Sequence, residues 1–235
     1  MSQASSSPLP ARTLLPLAGI AAALALVGCG GSKDEHTSAD SGAMEADLVR
    51  TVAEQPDFYL RKPITELPAD LPWQDGSDLP EFANPDAPKG GTFYNSIIDF
   101  PRTLRTIGPD ATGGIRPYLL DWVEPWWVHP HPNFPGRFYP GLASRWAIDH
   151  ANRTAYLEID PAARWSDGTP VTTADVEFSF YFYRSPHLRE PWYNDFYTTK
   201  FESVTLFDER TFAITFPEDK PDLERYLGFS PSPRG

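Results

Sequence analysis

The sequence predicts a mixed α/β fold, and three observations support this class. Within the stretch 164–186, Val176, Phe180 and Tyr183 recur at i, i+4 and i+7, which is typical of a helix that packs on a sheet. Residues 154–159, 204–207 and 211–216 read as strands, and the last two form a predicted hairpin around an Asp-Glu-Arg turn. The 26 prolines favour long irregular connections over a helical bundle.

Composition indicates a folded domain with no nucleic-acid partner. Hydrophobic residues make up 40% of the 235 residues and aromatic residues 14%, which is more than a disordered chain carries. The formal net charge is −12. Phosphate binding needs clustered Lys and Arg, so nucleic acid is excluded as the expected ligand.

The first residues resemble the signal peptide of a lipoprotein. Arg12 precedes an apolar run at 14–27, which is too short to span a bilayer and fits the apolar region of a signal peptide. Leu26-Val27-Gly28-Cys29 resembles a lipobox, in which cleavage leaves an acylated cysteine as the first residue. We therefore expect a signal peptide at 1–28 and lipidation at Cys29. An ordinary secretory peptide with a chance cysteine is the alternative.

A flexible tether is predicted after the cysteine. Residues 29–57 begin with small, polar and acidic side chains that have almost nothing to bury. A short helix is expected at 46–53, where Leu48, Val49 and Val52 form an apolar side. The folded domain is expected over 58–235.

The remaining elements follow from local patterns. Residues 92–98 are expected to form a strand after a Pro- and Gly-rich entry, and residues 115–122 a helix after a polar loop. Residues 191–195 are interpreted as a loop. A short helix is expected after Pro221, because proline fits the first turn of a helix.

The stretch 164–186 is predicted to be a turn that opens a helix. Asp167-Gly168 is a turn pair, in which Gly168 can adopt a positive φ. Thr172 or Thr173 can cap the helix, and Asp175 and Glu177 are favoured by its dipole. On physical grounds alone this is a structural junction.

Three motifs resemble a known family. They are Trp-Ser-Asp-Gly-Thr-Pro-Val-Thr-Thr-Ala-Asp-Val-Glu-Phe at 165–178, Pro-Lys-Gly-Gly at 88–91, and Tyr-Pro-Gly-Leu-Ala-Ser-Arg-Trp at 139–146. Together they resemble the extracellular solute-binding proteins of family 5, the peptide- and nickel-binding receptors of ABC importers. The resemblance implies the N-terminal lobe of a two-lobed, class II periplasmic-binding-protein-like fold, truncated before its second lobe.

The resemblance also implies a function and a location. It predicts a monomeric component of an ABC importer that captures oligopeptides or similar solutes and delivers them to permease subunits. The protein would lie in the periplasm or cell envelope, held to a membrane by its acyl chains and needing no cofactor. The first-strand region at Asn95, Ser96, Ile97 and Ile98 would face the ligand.

Tryptophan is concentrated next to a proline-rich loop. Trp126 and Trp127 are predicted to contact ligand, as a pocket for the side chains of a bound peptide. Packing in the core or between lobes is the alternative, and sugar stacking on a carbohydrate-binding or hydrolytic surface lipoprotein is another. Nothing in the sequence selects sugar over peptide.

Metal binding and catalysis are both interpreted as absent. His129 and His131 flank a proline near Asp121 and Glu124, but zinc sites usually require a more defined ligand set. A nickel- or metal-complex-binding member of the same family stays an alternative. The sequence contains no Gly-x-Ser-x-Gly or His-Glu-x-x-His motif, and the carboxylates of 160–177 have structural roles available.

Overall fold

The computed structural model describes residues 35–88, 90–92, 94–97, 100–122, 124 and 126–234. In this part of the chain the strands are β1 (Tyr59–Arg61), β2 (Val128–Pro130), β3 (Phe138–Pro140), β4 (Ala143–Asp149), β5 (Thr154–Ile159), β6 (Ser203–Leu206) and β7 (Thr211–Thr215). The helices are α1 (Glu35–Glu54), α2 (Arg116–Trp122), α3 (Thr173–Arg184) and α4 (Pro191–Thr199), with 3₁₀ turns at Ile64–Glu66 and Leu223–Leu227.

Five of these strands form one sheet, in the order β1-β6-β7-β5-β4. β1 pairs parallel with β6, and the other pairs are antiparallel. β2 and β3 form a separate antiparallel ribbon. The sheet and the four helices confirm the predicted mixed α/β class.

The two faces of the sheet are covered differently. Alternate side chains of β5 and β7, such as Leu157 and Phe212, point into the main core with Phe180 of α3. The intervening side chains, such as Tyr156, point to the opposite face, where Trp73 and neighbours from the extended segment 67–73 cover them. This period-two division is what a sheet buried on both faces requires.

The junction before α3 forms as its residue types predict. Gly168 has φ +90°, and the Asp167 carboxylate accepts hydrogen bonds from the Thr169 N–H (2.9 Å) and hydroxyl (2.7 Å). The backbone N–H of Thr172 donates to Asp175 Oδ2 at 2.8 Å, which caps the helix start. The turn, the cap and the helix are therefore confirmed.

Glu177 has a role that differs from the predicted one. Its side chain is buried, and both of its carboxylate oxygens accept hydrogen bonds from Arg61 of β1, at 2.7 and 2.9 Å. The carboxylate therefore serves as the partner of an arginine more than a hundred residues away in sequence. Helical spacing alone does not reveal such a contact.

Gly141 lies at a close crossing between two segments. A Cβ atom at this position would lie 2.1 Å from the carbonyl oxygen of Trp126 and 2.9 Å from the His129 ring. The same carbonyl accepts a hydrogen bond from the Leu142 N–H at 2.8 Å. The Pro-Gly-Leu-Ala motif therefore needs glycine so that the chain can pass against Trp126 on its way into β4.

Two predicted elements are wrong. Residues 191–195 are not a loop, because Pro191 occupies the first turn of α4, where its missing N–H costs nothing. The predicted strand at 92–98 is absent from the described residues 92 and 94–97. There the Asn95 side chain accepts the Ser96 N–H at 2.9 Å, a local bond that competes with strand pairing.

The helix predicted at 46–53 is part of the longer α1. Leu48 is 1% exposed and belongs to the main core, and Tyr181 of α3 donates a hydrogen bond to Asp47 at 2.7 Å. This half of the predicted tether is therefore packed against the domain. The signal peptide and Cys29 lie outside the described residues, and the division at residues 28 and 57 stays a prediction.

Among the described residues, none of the helices combines the length and the apolar character needed to cross a bilayer.

Candidate functional site

The structure contains an aromatic-lined groove between α2, α4, the loop before α2 and the C-terminal segment. Its inner part is a cavity of about 170 Å³. We call this the aromatic groove, and its lining residues are Ile107, Leu120, Glu124, Trp126, Tyr183, Trp192, Tyr193, Phe196, Tyr197, Gly228, Phe229 and Ser230. A second depression of about 330 Å³ continues from it past Trp192, Tyr193 and Ile107 towards Arg116 and Glu190.

Stacked rings of α4 and α3 form the wall of the groove. Trp192 stacks on Phe196 with ring centroids 5.1 Å apart and planes at 14°. Tyr193 lies 5.6 Å from Tyr183 and nearly parallel to Tyr197, at 6.2 Å. Helical spacing places residues 192 and 196, and 193 and 197, one above the other, so α4 presents two pairs of rings.

Polar groups define one edge of the groove. Arg116 of α2 donates to the Thr106 carbonyl at 2.7 Å and to the Tyr193 hydroxyl at 3.1 Å. The Tyr183 hydroxyl contacts the Ser230 carbonyl and the Ser232 hydroxyl, both at 3.2 Å. These bonds hold the tyrosine rings in fixed orientations.

Burial controls the ionisation of the tyrosines. It raises the pKa of Tyr183 to about 12, partly offset by the Ser232 hydrogen bond. Burial is also the main cause that raises the pKa of Tyr193, which the nearby Arg116 opposes and the carboxylates of Glu124 and Glu190 reinforce. Both hydroxyls are therefore neutral at physiological pH.

A larger and more open depression of about 750 Å³ lies beside the start of α3. Arg61, Lys62 and Arg234 line it, and two of these three cations have carboxylate partners: Arg61 binds Glu177, and Arg234 binds Glu45 with Glu177 3.8 Å away. This depression has the greater volume, but the aromatic groove has the more suitable lining. Ligand pockets are lined mainly by apolar and aromatic side chains with a few polar groups, and the aromatic groove has this composition.

The predicted ligand residues do not come together. Asn95, Ser96 and Ile97 are exposed and none of them lines the aromatic groove, while Ile98 lies outside the described residues. Trp126 lines the groove. Trp127 has no exposed surface and packs on Phe212 at 4.9 Å, in accordance with the core alternative. A role for these residues in ligand binding stays a prediction.

The two histidines near Trp126 are used in packing. The ring of His129 is stacked between Trp126 (5.5 Å) and Tyr139 (5.2 Å), and its Nε2 accepts the Trp126 N–H at 3.2 Å. Burial lowers the pKa of His129, which favours this neutral form. The ring nitrogens of His131 contact the Pro80 carbonyl and the Asn133 N–H, each at 3.2 Å.

In the described part of the chain, no group of three or more His, Cys, Asp and Glu side chains is placed to hold a metal ion.

Sequence reasoning did not find the groove, since it treated residues 191–195 as a loop. The signal was present in Trp192, Tyr193, Phe196 and Tyr197, whose spacing creates two stacked pairs only on a helix.

Comparison with known proteins finds a family model that matches the C-terminal part of the chain. Residues 137–234 match the model of "Bacterial extracellular solute-binding proteins, family 5 Middle". This segment runs from β3 to the end of the described chain and includes α4 with its stacked rings. Over residues 137–234 the predicted resemblance to family 5 of the extracellular solute-binding proteins is therefore confirmed.

Individual relatives are longer than this chain. It is 30% identical over 190 residues to the "Probable peptide-binding protein YejA" of Agrobacterium fabrum, which covers 79% of this chain and 29% of the relative. It is 33% identical over 103 residues to the "Uncharacterized protein YejA" of Escherichia coli K12, covering 43% and 16%. The chain therefore spans less than a third of the length of these relatives.

Among solved structures, the murein tripeptide binding protein MppA of Escherichia coli is similar, with 22% identity and a TM-score of 0.48. The similarity covers 59% of this chain and 30% of that one.

Proposed function

We propose that this chain is part of a receptor that captures oligopeptides outside the cytoplasmic membrane and delivers them to an ABC permease. The match of residues 137–234 to the family 5 model is the observation that carries the proposal. The relative that aligns over 190 residues is named a probable peptide-binding protein, which supports peptide over other solutes.

The aromatic groove is the surface that we propose for ligand contact. Its rings offer apolar area at low entropic cost, because aromatic side chains have few rotatable bonds. Trp192 is 62% exposed, so it can contact a ligand without any rearrangement of the core. We also propose that the protein binds its ligand without catalysing a reaction and without a cofactor; the match to a family described as solute-binding proteins supports a binding function.

Acyl chains on Cys29 are the proposed attachment to the membrane. Two or more chains hold a protein at a lipid surface far better than one, and no membrane-spanning helix is then needed. Replacement of Cys29 by serine is expected to release the protein from the membrane fraction of cells. Retention of the Cys29→Ser variant in that fraction would contradict this part of the proposal.

Peptide binding can be tested by thermal unfolding of the full chain with a library of tripeptides. A ligand at 100 times its Kd stabilises a protein by about 2.7 kcal/mol. In a chain of this size the melting temperature should then rise by about 5–10 °C. Oligosaccharides serve as the comparison class. A rise with sugars and none across the peptide library would contradict the proposal and favour a carbohydrate-binding lipoprotein.

A further inference from the structure

Glu124 places a carboxylate among the aromatic rings of the groove. It is half-buried and lies in the lining of the inner cavity with Trp126, Trp192 and Tyr193. Its backbone N–H donates to the Leu119 carbonyl at 3.2 Å. Within the described residues, its carboxylate forms no salt bridge, whereas the buried Glu177 is paired with Arg61.

A half-buried carboxylate beside aromatic faces favours a cation. The face of an aromatic ring carries partial negative charge and attracts an ammonium or guanidinium group placed over it, most strongly when the ring is Trp. Trp192 and Phe196 are stacked at 5.1 Å, and the Trp192 ring is mostly exposed, so one of its faces is available to a ligand. The carboxylate and the aromatic rings therefore both favour a cationic ligand group.

Negatively charged side chains outnumber positively charged ones around the groove. Two carboxylates, Glu124 and Glu190, line the two connected depressions, and Arg116 is the charged group opposite them. Arg116 donates to two neutral acceptors, the Thr106 carbonyl and the Tyr193 hydroxyl, so it keeps its positive charge and offsets only one of the two carboxylates. The contribution of both carboxylates to the raised pKa of Tyr193 agrees with negative potential at this place.

The size of the inner cavity indicates what part of a ligand would enter. At about 170 Å³ it is smaller than the roughly 300–1,000 Å³ of sites that enclose whole small molecules. It has room for one long side chain. The stem of a lysine or arginine can lie along the rings while its charged end reaches the carboxylate.

We propose that the aromatic groove binds the cationic side chain of a lysine or arginine residue in a peptide ligand, with Glu124 as the counter-ion and Trp192 as the stacking surface. The inference rests on the proposed peptide-binding function and adds a side-chain preference to it.

The test is calorimetric titration of the full chain with three peptides: Ala-Lys-Ala, Ala-Arg-Ala and Ala-norleucine-Ala. Norleucine keeps the aliphatic stem of lysine without the charge. The lysine and arginine peptides should bind about tenfold more tightly than the norleucine peptide, as expected for a partly desolvated cation over a ring beside a carboxylate.

Three variants test which residues cause the preference for a cationic side chain. Glu124→Gln should reduce the ratio between the lysine and norleucine peptides to about one while the norleucine peptide binds as before. Trp192→Ala should weaken the binding of all three peptides, and because this side chain is mostly exposed the variant should lose little thermal stability. Glu81→Gln removes an exposed carboxylate outside the groove and should leave the tenfold ratio unchanged.

The outcomes separate the two proposals. Equal binding of all three peptides, or a preference that survives Glu124→Gln, overturns the assignment of a cation site and leaves peptide binding intact. Absence of binding for every peptide overturns both. If Glu124→Gln fails to fold, the loss or retention of binding in Trp192→Ala decides whether the groove is the site.

Discussion

Gly141 shows how a single residue type is fixed by a backbone contact. Nothing in a Pro-Gly-Leu-Ala sequence reveals that the carbonyl of a distant tryptophan lies where a side chain would begin. The sequence marks the position as a motif, and the structure supplies the steric reason. Glu177 is a similar case, because the arginine of β1 that binds its carboxylate is distant in sequence.

Gly141→Ala is expected to destabilise the protein. The added Cβ would lie 2.1 Å from the Trp126 carbonyl, so the backbone must shift, at a cost of about 1–3 kcal/mol. Denaturant unfolding measures the change. Gly113→Ala is the matched control, since a Cβ there meets no atom within 4 Å. Equal stability of the two variants would show that the crossing is looser than described.

The pair of Arg61 and Glu177 should show measurable coupling. A double-mutant cycle with Arg61→Ala and Glu177→Gln is expected to give an interaction energy of about 1–2 kcal/mol, because the carboxylate is buried and accepts two bonds. The same cycle on Arg102 and Asp110, which are exposed and 3.5 Å apart, should give close to zero. Coupling of equal size in both pairs would argue against a special role for Glu177.

At the scale of single elements, local signals and distant partners explain which predictions are confirmed. The helix α3 has its cap, its turn and its apolar stripe within twenty residues, so sequence alone predicted it. The hairpin β6–β7 is equally local. By contrast, β1 has three residues and pairs with β6 from the far end of the chain, which no short-range pattern indicates. The strand expected at 92–98 lacked a pairing partner in the described chain.

The two faces of α3 should respond differently to truncation. Phe180 has no exposed surface and contacts the rings of Phe58 and Phe201, so Phe180→Ala is expected to cost about 3–5 kcal/mol. Phe182 lies on the same helix but is partly exposed, so Phe182→Ala should cost clearly less. Unfolding by denaturant measures both. A larger loss at Phe182 would mean that the core lies on the other face of the helix.

Attachment of α1 to α3 should depend on pH. Hydrogen bonds from Tyr181, then from His187 and Arg50, lower the pKa of Asp47 below its usual value. A carboxyl group whose pKa is lowered by folding stabilises the fold above its unfolded pKa, and this contribution is lost as pH falls through the folded pKa. The wild type should therefore be more stable than Asp47→Asn at pH 7, and the difference should shrink as the pH falls below the unfolded pKa of about 3.9.

Stability curves at several pH values, measured by denaturant unfolding, test this dependence. Glu54→Gln on the exposed side of α1 is the control, and it should show a smaller change between neutral and acid pH. A difference between wild type and Asp47→Asn that stays constant with pH would contradict the role of the ionised carboxylate.

At the scale of the whole molecule, the sequence predicted the family but did not predict the aromatic groove. Three motifs spread over residues 88–178 already indicated a family 5 solute-binding protein, and the comparisons confirm it over residues 137–234. The groove, in contrast, is assembled from α2, α4 and the C-terminal segment, which meet only in the folded chain. Side chains from separate elements that share one cavity leave no common pattern in sequence.

The most direct measurement is amide hydrogen exchange of the full chain, with and without a saturating peptide that raises its melting temperature. If the aromatic groove is the contact surface, protection should increase in residues 191–197 and 226–230, while exchange in β4 and β5 stays unchanged. Increased protection confined to residues 94–97, or to the depression at the start of α3, would contradict the assignment of the groove as the peptide-binding site.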